Sequence, residues 1–307
     1  MNTRKIWSTS RLGLTTAAFA LSAMMFGSIA LAAGLSYFQG FETDTNGWSG
    51  ATRVASGSNG VISADGAWHA ESSGGTFNAS GAFTTWGGYG GNAGCGTSAC
   101  AAAAFPANGY VTSIDVYLDV DSITLSNDTR FDFTSAINQP SGFHRRDFGF
   151  NAGFYNDTDI TGTGPRFVIS ASNNVTRSGA FPKNPGRDPF AITDAGWYTF
   201  QHTFTDNAGV LSVELAIKDA AGAVLHTWTL SDATDIINTT VGSNRYGWFA
   251  LQEIPNLAID NAIRFDIKTQ PTDKGQCKKD GWKLVVNGNG EDFKNQGQCV
   301  KFVNTGK

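Results

Sequence analysis

The sequence predicts an all-β protein, a sandwich of two antiparallel sheets, and three observations carry that prediction. Residues 196–218 alternate with period two: Tyr198, Phe200, His202 and Phe204 against Thr199, Gln201 and Thr203, then Leu211, Val213, Leu215 and Ile217 against Ser212, Glu214 and Lys218. The turns between these runs carry glycine, in Asp206-Asn207-Ala208-Gly209 and Asp219-Ala220-Ala221-Gly222, which allows the positive φ of tight hairpins. Long helical periods are scarce, whereas runs of Phe, Val, Ile and Thr recur along the chain. Each such strand has one apolar face to bury, and two sheets packed face to face bury them all.

Taken in order, residues 1–32 contain Arg4, Lys5 and Arg11, no acidic residue, an apolar run from Leu12 to Leu31 and the small-residue end Ala30-Leu31-Ala32. That pattern predicts a secretory signal peptide, hence a secreted or cell-surface protein with no membrane span after processing; a retained anchor is the alternative. The remainder divides into a body, 33–270, and a short C-terminal module, 271–307. Thr112, Ile114, Val116, Leu118 and Val120 alternate with Ser113, Asp115, Tyr117 and Asp119 in a half-buried strand, and RFDFTSAI, RRDFGFNAGFY and PRFVISAS supply three more strands. The stretch between HTWTL and LAIDNAIRF reads as a loop-like insert.

Charge narrows the partners. The module carries seven Lys against four Asp and Glu, the signal three basic residues and no acid, and the body the remaining twelve basic and twenty-two acidic residues. A body so acidic lacks the basic stripe that phosphate backbones require, so nucleic acid is not an expected partner. The four cysteines, Cys95, Cys100, Cys277 and Cys299, allow three pairings in an oxidising compartment. Cys95 with Cys100 and Cys277 with Cys299 is the favoured set. The first pins a Gly-rich loop and the second closes the module, contributing on the order of 3 kcal/mol. Zinc is the alternative, but neither pair has the usual ligand spacing.

The order GFETDTNGW, GWYTFQHTF, GVLSVELAIKDAAGAVLHTWTL and LAIDNAIRF resembles the jelly-roll β-sandwiches of the concanavalin A-like and carbohydrate-binding-module type. The run HRRDFGFNAGFYNDTD with GPRFVISASNN and FPKNPGRDPF is similar to secreted bacterial proteins of unassigned function. The tail, with CKKDGW and FKNQGQCV, resembles a short module that follows other domains in secreted bacterial proteins. The resemblance implies a jelly roll and an extracellular glycan as partner. It also implies a structural Ca²⁺ shared by Glu42, just after the N-terminal Gly-Phe, and Asp260 of the last strand, with Asp44 nearby. Solvated turn capping by Glu42 and Asp44 is the alternative. Asn156-Asp157-Thr158-Asp159 with Gly162 and Gly164 also has the look of a cation loop, although such clusters are first of all turn formers.

For ligand contact, Trp86-Gly-Gly-Tyr89-Gly-Gly is the most suggestive aromatic stretch, because sugars present C–H faces to rings and glycine neighbours leave rings open. Catalysis has a thinner case. In a polysaccharide lyase, Arg146 would neutralise a uronate and His144 or Tyr155 would exchange protons, with His202 and Glu214 as possible companions. The alternative is a cross-strand pair of Arg145 with Asp147 and a partly buried, satisfied His202. The paired carboxylates of concanavalin A-like glucanases in an E-x-D-x-E strand are absent, as are nucleophile-elbow, zincin and Walker motifs. The leading expectation is therefore a non-catalytic glycan-binding sandwich. A lyase-like enzyme and a surface structural or attachment protein are the alternatives.

Overall fold

The computed structural model describes residues 35–72, 82–84, 104–121, 124–173 and 182–307. Residues 1–32, Trp86, Tyr89, Cys95 and Cys100 lie outside them. The strands are β1 (Leu35–Gln39), β2 (Ala51–Ala55), β3 (Trp68–Ser72), β4 (Phe83–Thr84), β5 (Tyr110–Leu118), β6 (Thr129–Asn138) and β7 (His144–Asp159). They continue with β8 (Gly162–Ser172), β9 (Phe190–Ile192), β10 (Gly196–Asn207), β11 (Val210–Lys218), β12 (Val224–Ile236), β13 (Asn244–Gln252) and β14 (Leu257–Asp266). They form two antiparallel sheets. An eight-stranded sheet runs β12-β11-β10-β5-β14-β3-β2 with β1 also on β14, and a six-stranded sheet runs β4-β13-β6-β7-β8-β9.

The period-two alternation fixes which side of each strand is buried. On β10, Tyr198, Phe200, His202 and Phe204 point inward; so do Ile114, Val116 and Leu118 of β5. They meet Phe131, Phe133, Phe148 and Phe150 of the other sheet: Phe200 packs edge-on to Phe150 with centroids 5.1 Å apart and lies 5.7 Å from Phe131. Phe148 meets Phe204 at 5.7 Å. Edge-to-face rings of this kind add to the area they bury, and they make the core one continuous aromatic layer.

Two departures from the sequence reading are informative. The stretch read as an insert contains β13, paired with β6 and β4. Its register shifts between Asn244 and Tyr246 and again between Phe249 and Leu251, so bulges break the alternation that would have announced a strand. The second departure lies in β14, where Asp260 pairs with Asp115 but the next ladder partners are Ile263 and Ser113. The extra residue is accommodated by Asn261 at φ 46°, a left-handed conformation that Asn tolerates better than most residues.

The C-terminal residues have their own small core of Cys277, Val285, Phe293, Cys299 and Phe302. Cys277 and Cys299 form a disulfide, as the sequence led us to expect. Helix α1 (Gln296–Thr305) is capped by Asn295, whose side chain accepts from the Gln298 N–H at 2.9 Å, and it ends on Gly306 in the left-handed region. Among the described residues no helix is long and apolar enough to cross a membrane.

Candidate functional site

The outward face of the eight-stranded sheet carries an open groove of about 830 Å³. It crosses β11, β10, β5, β14 and β1, and its lining includes Lys218, Thr199, Gln201, Ser113, Asp115, Asn261 and Ile263, with Phe38 and Phe265. These residues are outward because their neighbours in sequence fill the core. Phe38 is 50% exposed, an unusual position for a large ring. The polar floor is held in place: Asp115 accepts from the Thr199 hydroxyl at 2.5 Å and from the Asn261 amide at 3.0 Å, and Lys218 donates to Gln201 at 2.8 Å.

Beneath one end of the groove, Asp260 sits directly opposite Asp115 and is wholly buried. Burial pushes its carboxyl up to about 7, and the neighbouring Asp115 adds to the effect. Asp115 is raised for the same first cause, burial, outweighing its two hydrogen bonds. The segment above them is tied from several sides. Asp260 accepts from the Asp65 N–H at 3.4 Å, Trp197 donates to the Ile62 carbonyl at 2.7 Å, and Glu42 accepts from the Ala67 and Trp68 N–H groups at 3.1 Å. Gly66, at φ +63°, is required there because a Cβ would run into the Glu42 carboxylate.

Two of the expected calcium ligands, Glu42 and Asp260, thus both accept from the 65–68 segment. Glu42 is occupied by backbone N–H groups, while Asp44 closes its own turn, accepting from the Asn46 N–H at 2.8 Å and from Gln39 at 3.2 Å. Among the described residues no group of three or more His, Cys, Asp or Glu is placed to hold a metal ion. The second acidic loop serves protein cations: Asp157 and Asp159 hold the fully buried Arg166 at 2.9 and 2.8 Å, and Lys183 bridges the same two carboxylates.

The residues considered for lyase chemistry are not brought together. His144 and Tyr155 stand on one strand, β7, and the eleven steps along it from one to the other span roughly 36 Å. Arg146 pairs with Asp235 at 2.7 Å and Asp232 at 3.2 Å, tying the two sheets. Tyr155 donates to Asp128 at 2.5 Å under the Lys183 ammonium, and burial raises its phenol well above the ordinary value. His144 bonds Asp147 at 2.8 Å. The expected Arg145–Asp147 pair is therefore replaced by Arg145–Asp235 at 2.8 Å. Nor is His202 partly buried and satisfied. It is fully enclosed by rings, with Nε2 on the Phe148 carbonyl at 2.9 Å and Nδ1 without a hydrogen-bond partner among the described residues, and burial lowers its pKa to about 3.

Asp115, Thr199, Gln201 and Phe38 were not candidates in the sequence. The signal that could have found them is the polar half of the same alternation, once β5 is known to lie between β10 and β14.

Fold and groove together define a two-sheet β-sandwich with a laterally open ligand-sized concavity on one outer face. No family model and no curated protein matches the chain. Three solved structures are similar in fold. A CBM2 module of the evolved Dit of Lactobacillus casei BL23 phage J-1 is 14% identical, with 76% of this chain and 96% of that one covered and a TM-score of 0.38. A protein of unknown function from Shewanella oneidensis MR-1 is 10% identical, covering 83% and 97%, with a TM-score of 0.34. The endo-1,3-beta-glucanase of Streptomyces sioyaensis is 10% identical, covering 72% and 76%, with a TM-score of 0.29. Likenesses this distant do not bear on function.

Proposed function

We propose that this is a secreted glycan-binding protein whose ligand lies in the groove on the eight-stranded sheet. The observation that carries the reading is the pairing, in one open concavity of about 830 Å³, of an exposed Phe38 and apolar Ile263 and Phe265 with the fixed polar groups of Asp115, Thr199, Gln201 and Asn261. Sugars present both C–H faces and hydroxyls, and a site with a few oriented polar groups among apolar ones suits them. The Cys277–Cys299 disulfide supports an oxidising compartment, in keeping with secretion. Trp86 and Tyr89 stay in the proposal as a second contact.

The test is binding to an immobilised glycan panel by the wild type and by Phe38→Ala, Gln201→Ala, Trp86→Ala and Tyr89→Ala. Binding that Phe38→Ala and Gln201→Ala abolish supports the groove. Absence of binding to every glycan overturns the reading.

Calcium is kept as a separate proposal. Its support is that Glu42 and the buried Asp260 both reach the 65–68 segment, with Asp44 in the turn that follows Glu42, and a cation there would offset the repulsion of their carboxylates. A melting temperature lowered by chelator supports it; an unchanged one removes it. A surface-attachment role for the module has one favouring observation: all seven of its lysines are exposed, and among the described residues only Lys283 has an ion pair. Cell fractionation after deletion of 271–307 tests it, since an unchanged distribution refutes attachment.

A further inference from the structure

We infer that the groove accepts an uncharged glycan lying across the strands and excludes acidic polysaccharides, an inference that rests on the glycan reading above. Direction follows from the lining. The groove reaches from Lys218 on β11 to Phe38 on β1 through three intervening strands, and four strand spacings make a path of roughly 19 Å. A linear oligosaccharide fits that path transverse to the sheet, with one sugar face against Phe38 and Ile263.

Charge decides the class. Among the described residues, Asp65 and Asp115 are the acidic members of the lining and Lys218 its one cation. That ammonium is already directed at the Gln201 amide oxygen. The arginine of the neighbouring strand is unavailable, because Arg264 faces the opposite side of β14, fully buried, 4.7 Å above the Tyr110 ring and paired with Asp266. A uronate would therefore place its carboxylate near two like charges in a partly desolvated site, with no guanidinium among the described lining residues to receive it.

Neutral hydroxyls meet the opposite situation. An ionised carboxylate offers about four acceptor positions, and Asp115 uses two of them on Thr199 and Asn261. The remainder can accept from ligand hydroxyls.

The experiment compares, by calorimetric titration, neutral oligosaccharides (gluco-, xylo- and manno-configured) with oligogalacturonate and oligoalginate. Wild type, Phe38→Ala, Gln201→Ala and Asp65→Asn are used; Asp65 is exposed, so the last variant tests charge without disturbing the core. The expected result is binding of a neutral ligand, weakened about tenfold or more by Phe38→Ala, and no uronate binding to the wild type. Asp65→Asn should narrow the preference for neutral ligands. Uronates binding as well as neutral chains, with Phe38→Ala removing both, overturns the charge inference and leaves the groove reading intact. Glycan binding indifferent to both Phe38→Ala and Gln201→Ala, or no glycan binding, overturns the groove itself.

Discussion

Replacing Asp260 by Asn should convert a protein whose stability is nearly flat between pH 7 and pH 5 into one that weakens steadily with acid. Two buried groups oppose each other in that interval. His202 has a folded pKa of about 3 against an ordinary 6.5, so the unfolded chain binds the proton that the folded chain refuses. Its contribution is complete above pH 6.5 and is lost as pH falls toward 3. Asp260 behaves inversely. With a folded value of about 7 against 3.8, the folded carboxyl holds a proton that the unfolded chain releases, and stability grows as pH falls from 7 toward 4. From pH 7 to pH 5 each effect amounts to about 2 kcal/mol, with opposite sign. His69, lowered mainly by burial, adds to the first effect, and Asp115, raised mainly by burial, adds to the second. Urea denaturation at pH 7, 6 and 5, in chelating buffer so that no cation replaces the proton, should show Asp260→Asn losing about 2 kcal/mol relative to its own pH 7 value. His202→Gln should instead gain stability over the same range. Parallel profiles for wild type and Asp260→Asn would refute the assignment of the proton to Asp260.

Other outcomes follow from the packing. Asp235→Ala strips the shared partner from Arg145 and Arg146 at the junction of the sheets and should cost about 3 kcal/mol in chemical denaturation. Phe200→Ala removes a ring at the centre of the core and should cost about 3 to 5 kcal/mol, measured the same way. Replacing Cys277 and Cys299 together by Ser should destabilise the C-terminal module by roughly 3 kcal/mol, seen as faster proteolysis there than in the sandwich. In a spectrophotometric assay for unsaturated products, His144→Ala should match the wild type on uronate polymers, because His144 and Tyr155 stand eleven steps apart on β7 and Arg146 is held by Asp235.

The sandwich was legible because its central strands keep a period of two: Ile114, Val116 and Leu118 of β5, Tyr198, Phe200 and Phe204 of β10, and Leu211, Val213, Leu215 and Ile217 of β11 are apolar and buried. β13 was not, since its two bulges shift apolar residues off the alternating positions. The Cys277–Cys299 closure followed from spacing and compartment. The groove could not be found the same way. Ser113, Asp115, Thr199 and Gln201 read only as solvent-side residues, and their assembly depends on β5 pairing with both β10 and β14, a non-local order that no stretch of sequence encodes. His202 was misjudged for a related reason: it occupies an inward position between Phe200 and Phe204, and its ring neighbours come from strands some fifty residues away.

The bulge at Asn261 gives the groove one more side chain than a regular strand would supply. Asp260 and Asn261 both stand on the groove side while Ala262 and Arg264 face the core, so removing Asn261 would restore the plain alternation, with Ile263 and Phe265 still outward and Arg264 still buried. A single-codon deletion would thus take from the surface one amide and the hydrogen bond by which it steadies Asp115, and leave the rest of the strand in step.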